Sequence, residues 1–233
     1  MKLLLFDIDG TLIHSGGAGK IAMERAFEKV YGIRDAFGDI PLTGRTDPSI
    51  LMEVLEKQGL AWTESETEKF REFYFWFLEE EIEKPRQGKK ICPGVLPLLS
   101  SLQQEHDLEL GLLTGNWRYG GQLKLRHFGI DGFFKIGAFA DDSVRREDLV
   151  PIAMERYYNT SGIRLEKGEV FVIGDTPLDI LCARPHGVRT VAVATGVHSL
   201  EQLKAENPDH AFENFLNLNE VLGVFESDHT GRG

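Results

Sequence analysis

The sequence predicts an α/β protein: a parallel sheet with helices on both faces, interrupted near its start by an all-helical insert. Three observations lead there. The chain opens on a short apolar run, Leu3-Leu4-Leu5-Phe6, that ends in a turn signal and reads as a buried strand. From Cys92 onward helical and strand patterns alternate, which argues a parallel sheet covered on both sides. Between the two, residues 15–84 carry helical periodicity and no strand signal.

The first strand breaks off into Asp7-Ile8-Asp9-Gly10-Thr11, where Gly10 permits a sharp turn. Gly16-Gly17-Ala18-Gly19 lacks the Gly-Lys-Ser/Thr ending of a nucleotide loop and reads as a hinge before a helix that runs to about Tyr31. Thr46 or Asp47 caps a second helix, with Pro48 in its first turn and Ile50, Leu51, Val54 and Leu55 on one face. A third spans Ser65 to Lys84 with the stripe Phe70, Phe73, Tyr74, Phe77 and Leu78, while Phe75 and Trp76 lie off it. A polar connector from Pro85 to Lys90 ends the insert. Beyond it the spacing predicts helices over Pro93–Gln104, Tyr119–Phe128, Glu147–Tyr158 and Pro177–Arg184, near Leu200, and over Leu216–Phe225. The predicted strands are Leu108–Leu113, Phe133–Ile136, Val170–Ile173, Thr190–Val193 and Ala211-Phe212. Residues 1–14 and 85–226 thus form the α/β core and 15–84 a helical cap, while the polar tail 227–233 is expected to be disordered.

The 233 residues suffice for a full core, and 42% hydrophobic content is ordinary for a globular chain. A formal net charge of −11 argues against nucleic acid or an anionic membrane as the main partner. An anionic small substrate would then need local positive charge, from a metal and a few Lys or Arg. No apolar stretch approaches the roughly 18 residues of a membrane span. Cys92 and Cys182 stand alone, without metal-ligand spacing, and read as reduced thiols of a cytoplasmic protein.

The chemistry is written at the strand ends, where ligands of open parallel sheets bind. Strand alternation aims Asp7 and Asp9 the same way. Two crowded carboxylates must share a proton or a cation, and a hard ion such as Mg2+ takes oxygen ligands from protein, water and phosphate. Such a site suits phosphoryl transfer, with Asp7 as nucleophile and Asp9 as general acid and base. Asp-Gly is also a hairpin dipeptide, but no second alternating strand follows Thr11. After the strand at Leu113, Thr114 offers a hydroxyl and Gly115-Asn116 close backbone amides, though Thr-Gly-Asn is also an ordinary turn. After Ile173 comes Gly174-Asp175-Thr176-Pro177-Leu178-Asp179. Thr-x-x-Asp is a capping arrangement and accounts for Asp179. It leaves Asp175 without a structural reason.

Asp-x-Asp-Gly-Thr after an N-terminal apolar run resembles the first motif of the haloacid dehalogenase superfamily, most of whose members are Mg2+-dependent phosphatases. Thr114 stands where the family's second motif has Ser or Thr, and Gly174-Asp175-x-x-x-Asp179 is similar to its fourth. The third usually carries Lys. Here Asp141 to Leu149 has none, and Arg146 takes the place, with Arg145 behind it and Lys124 or Lys135 as distant substitutes. The resemblance implies a Rossmann-like core with the cap inserted after the first motif. It implies Mg2+ on Asp7, Asp175 and the backbone carbonyl of Asp9, with Asp179 in support. Thr114, Arg146 and the loop residues Gly10, Thr11, Gly115 and Asn116 would hold the phosphoryl group. Arg45, opening a cap helix, would meet a carboxylate or second phosphate on the leaving group. The implied reaction is hydrolysis of a small phosphorylated metabolite through an aspartyl phosphate, in a pattern similar to phosphoglycolate phosphatases. A dehalogenase of this family lacks the second acid, which Asp9 supplies. A phosphomutase resembling beta-phosphoglucomutase uses a cap His, and none occurs between Ser15 and Lys84. A non-catalytic binding protein on the same scaffold would leave the acids unexplained.

Overall fold

The computed structural model describes residues 1–226; the tail 227–233, expected to be disordered, lies outside them. Six parallel strands form the central sheet: β1 (Lys2–Phe6), β4 (Leu108–Leu113), β5 (Ile136–Ala138), β6 (Val170–Gly174), β7 (Arg189–Val193) and β8 (His210–Phe212). Their spatial order is β5-β4-β1-β6-β7-β8. β1 is central, with Leu5 opposite Gly111 of β4 and Val172 of β6. Alternation along it separates two cores. Leu4 and Phe6 pack with α4 (Val95–Leu102), α5 (Arg118–His127) and α9 (Leu218–Phe225). Leu3 and Leu5 pack on the other face with α6 (Leu149–Ser161) and α7 (Pro177–Ala183). A short helix, α8 (Leu200–Ala205), lies beside β7 and β8 and buries Leu203 with Ala192. This is the parallel sheet covered on both faces expected of the alternating pattern, and the Rossmann-like core that the family resemblance implies.

Helices α1 (Ala18–Tyr31), α2 (Asp47–Lys57) and α3 (Glu64–Glu83) share a separate apolar core built on Phe27, Phe37, Leu51, Val54, Phe70 and Leu78. The rest of the chain lends it only Trp117 and Ala140 among the buried residues. Thr46, rather than Asp47, caps α2 by accepting from the Ser49 N–H at 3.4 Å. The chain enters and leaves this unit side by side, as β2 (Ile13–His14) and β3 (Lys90–Ile91) pair antiparallel.

Two segments depart from expectation. The strand predicted over Phe133–Ile136 lies at Ile136–Ala138, because Asp131–Phe133 winds into a 3-10 turn and Phe133 and Phe134 pack on the core as side chains. The helix predicted from Glu147 begins at Leu149, after a 3-10 turn over Arg146–Asp148.

Candidate active site

Because β1 and β6 are neighbours, their carboxyl ends deliver acids to one place. Asp7 donates its N–H to the Ile173 carbonyl at 2.9 Å. One carboxylate oxygen each from Asp7, Asp175 and Asp179 lies within 4.8 Å of the others, all three buried. Thr11 donates its hydroxyl to Asp175 Oδ1 at 2.9 Å, while the buried Asp175 Oδ2 has no hydrogen-bond partner among the described residues. Gly10, held at φ +90°, and Gly196 both face that carboxylate, and a side chain on either would overlap it. An orphaned oxygen in a glycine cradle, beside two further acids, fits a hard divalent cation. Thr11, expected on the substrate, is instead fully buried and holds Asp175.

Arg146 is the balancing charge. Its Nη2 lies 3.0 Å from Asp7 Oδ1 and pairs with Asp179 Oδ1, and its Nη1 donates to the Gly44 carbonyl at 3.0 Å. Arg145 points elsewhere, to Glu147 and Asp148. Lys135 is 76% exposed and pairs with Glu109. Burial raises Asp7 to about 6 despite the opposing pull of Arg146, with the charges of Asp179 and Asp9 adding to the rise. Burial also raises Asp175, helped by Asp179 and Asp7. Asp179 serves its cap as well: its Oδ2 accepts from the Thr176 N–H at 3.0 Å and hydroxyl at 2.7 Å, while Thr176 caps α7. With Oδ1 on Arg146, both of its oxygens are engaged.

Asp7 and Asp9 both face the cavity above the strand ends, but their partners differ. Asp9 Oδ2 accepts from Asn116 Nδ2 at 2.9 Å and Lys124 Nζ at 2.6 Å. The Asp9 carboxylate therefore stands outside the metal cluster expected to include this residue, leaving only its carbonyl for that role. Thr114 Oγ1 accepts from Asn116 Nδ2 at 2.8 Å and from the Asn116 N–H at 3.3 Å.

A cavity of about 190 Å³ opens above these groups, lined by Asp7, Asp9, Thr114, Gly115, Asn116 and Arg146 below. Arg45, Asp47, Tyr74 and Gly19 stand on the helical side. Arg45 reaches this wall but not as a free cation: its guanidinium is paired with Glu53 and donates to the Pro41 and Ser49 carbonyls. These contacts brace the lead-in of α2. Gly10 borders the neighbouring depression rather than this cavity. Sequence reasoning missed Asp47 and Tyr74 and gave Lys124 only as a substitute for Arg146. One signal was available for Lys124: it falls one helical turn after Gly120, so both share the inner face of α5.

Acids from parallel strand ends, a cavity walled by the inserted helices and a buried arginine are the features of an α/β hydrolase. Residues 4–193 match the family model of the haloacid dehalogenase-like hydrolases, and the chain belongs to that family. It is 27% identical to the pyrophosphatase PpaX of Halalkalibacterium halodurans, over 96% of this chain and 98% of the relative. It is 24% identical to the phosphoglycolate phosphatase of Photorhabdus laumondii, over 96% and 93%. Among solved structures, CbbY of Rhodobacter sphaeroides in complex with phosphate superposes with TM-score 0.71 at 18% identity, covering 94% of this chain and 96% of that one. A hydrolase of Pseudomonas syringae gives 0.70 at 22% identity, covering 97% and 100%.

Proposed function

We propose that this hydrolase is a Mg2+-dependent phosphatase acting on a small phosphate monoester through an aspartyl phosphate formed on Asp7. The observation that carries it is the buried, unpartnered Asp175 Oδ2 beside Asp7. Such an oxygen is costly unless a cation meets it. Asp7 and Asp175 would hold the ion and Asp179 would orient the arginine between them. When bound, the ion neutralises charge on the phosphoryl oxygens. Arg146 is fixed on Asp7 and places its guanidinium where a transferring phosphoryl group would lie. Thr114 and the amides of Gly115 and Asn116 complete that cradle. Asp7 attacks phosphorus and the bond to the leaving oxygen breaks, with Asp9 supplying the proton. Asp9 then takes a proton from the water that releases phosphate and restores the Asp7 carboxylate.

Asp9 speaks against dehalogenation, and the lack of a cap histidine speaks against mutase chemistry. The names borne by relatives put phosphoglycolate and pyrophosphate at the head of a substrate panel. Their anionic leaving groups would not find Arg45 free.

The test is turnover of p-nitrophenyl phosphate and of a panel of phosphorylated metabolites, with Mg2+ and with chelator. Activity is expected only with the ion, and Asp7→Asn should lower it by ~10³-fold or more while the protein stays folded. Full activity of that variant, or of the chelated enzyme, overturns the proposal.

A further inference from the structure

Lys124 is left without a task by the mechanism above. It lies on the inner face of α5, 4% exposed, and an ammonium so buried needs partners. Its Nζ donates to Asp9 Oδ2 at 2.6 Å and to Asn116 Oδ1 at 2.7 Å. Asn116 donates to the same Asp9 oxygen at 2.9 Å and to Thr114 Oγ1 at 2.8 Å. Both bonds to Asp9 land on Oδ2. Among the described residues the other oxygen, Oδ1, has only the Ser15 hydroxyl, at 3.5 Å, the limit of a hydrogen bond.

We infer that Lys124 is the positioning residue for Asp9: with Asn116 it clamps Oδ2, and Oδ1 is the oxygen that exchanges protons in the reaction. The inference rests on Asp9 being the general acid and base. In the first half, a proton on Oδ1 passes to the leaving oxygen as its bond to phosphorus breaks, giving the alcohol. The negative charge that stays on Asp9 is met by the Lys124 ammonium already bound to Oδ2. In the second half, Oδ1 takes one proton from the attacking water, the phosphorus–Asp7 bond breaks, and phosphate leaves. Lys124 keeps its own protons throughout. The cap takes part in this arrangement. Gly19 of α1 packs so closely on Lys124 that an added Cβ would lie 3.3 Å from Nζ, and that same Cβ would lie 3.9 Å from the Tyr74 hydroxyl, which is buried and has no hydrogen-bond partner among the described residues.

The alternative is that Lys124 merely offsets the charge of Asp9 and Asp47, and leaving-group dependence separates the two. An aryl leaving group such as p-nitrophenolate departs with little need of a proton, whereas an alkoxide needs one. Lys124→Met should lower kcat/KM for the fastest alkyl monoester of the panel ~10-fold or more beyond its effect on p-nitrophenyl phosphate. Both rates come from one preparation, so their ratio does not depend on the fraction folded. Lys124→Gln, nearer in shape and still uncharged, is read the same way if the Met variant does not accumulate. Lys124→Arg should recover part of the ratio. Equal losses on both substrates, or an unchanged ratio, overturn the inference. Asp9→Asn is the control: it must show the selective loss for the underlying mechanism to stand. If it does and the Lys124 variants do not, only the role of Lys124 falls.

Discussion

The Asp47 carboxyl shows what burial does to an acid at the start of a helix. It is 6% exposed and accepts the Trp117 N–H at 2.8 Å. Burial raises it from an ordinary 3.8 to about 7, against the pull of Lys124 and of that N–H. The folded protein thus keeps a proton that the unfolded chain has released, so this residue makes stability fall as pH rises from about 4 to about 7. The penalty, complete above that window, is bounded by ~4 kcal/mol. Asp47→Asn keeps an acceptor for Trp117 and removes the charge. Urea midpoints from pH 4 to 8 should show the variant gaining on the unmodified protein by a few kcal/mol toward the alkaline end, and a gap that stays constant with pH would refute the assignment. At this scale the sequence was legible wherever an acid had no structural reason. Asp175, directly after a buried strand, could be read for that reason. The pairing of Arg45 was not legible, because its partner, Glu53, lies two turns further along the same chain segment and nothing in an isolated Gly-Arg-Thr announces it.

At the scale of elements, the site depends on how closely α2 approaches the end of β4. The Asp47 N–H donates to the Gly115 carbonyl at 2.7 Å. A Cβ on Gly115 would overlap the Arg45 carbonyl oxygen, lie 2.7 Å from its carbon and 3.0 Å from Thr46 Cα. Those neighbours are main chain and cannot rotate away. Gly115→Ala is therefore expected to push the start of α2 off the core, at a cost of ~1–3 kcal/mol in stability. The specificity constant should fall ~10-fold as the cavity wall shifts. Thermal melts and kinetics on the purified variant check both, and unchanged values would mean that the lead-in slides freely. Element order and type were readable from apolar periodicity, which responds to burial on a face. Ends were not, because side chains and turns set them. The Arg146–Asp148 turn precedes α6 because the guanidinium is drawn to Asp7 and Asp179, contacts a linear pattern cannot contain. The β2–β3 pair is two residues long on each side, too short for any alternation to register.

The whole molecule sets the terms on which an anion can enter. The chain carries a net charge of −11, yet the proposed substrate is a phosphate. Around the site, three buried carboxylates within 4.8 Å face the Arg146 guanidinium, so among the described residues the cluster has two acids in excess even before substrate arrives. Burial and mutual repulsion both push Asp7 and Asp175 toward protonation, which is the cost a divalent ion would remove. Occupancy of the ion should accordingly stabilise the fold as a whole, since the unfolded chain has no such cluster. Linkage gives about 2.7 kcal/mol at a hundred times the dissociation constant. For a chain of this size that corresponds to a rise of about 5–10 °C in melting temperature. Titrating Mg2+ at fixed ionic strength should give a rise of that order at a hundred times the dissociation constant, growing with the logarithm of concentration above it, and Na+ should give none. Asp175→Asn removes the unpartnered oxygen's charge, so it should melt higher than the unmodified protein in chelator and respond little to Mg2+. An undiminished response in that variant would place the ion somewhere other than between the ends of β1 and β6.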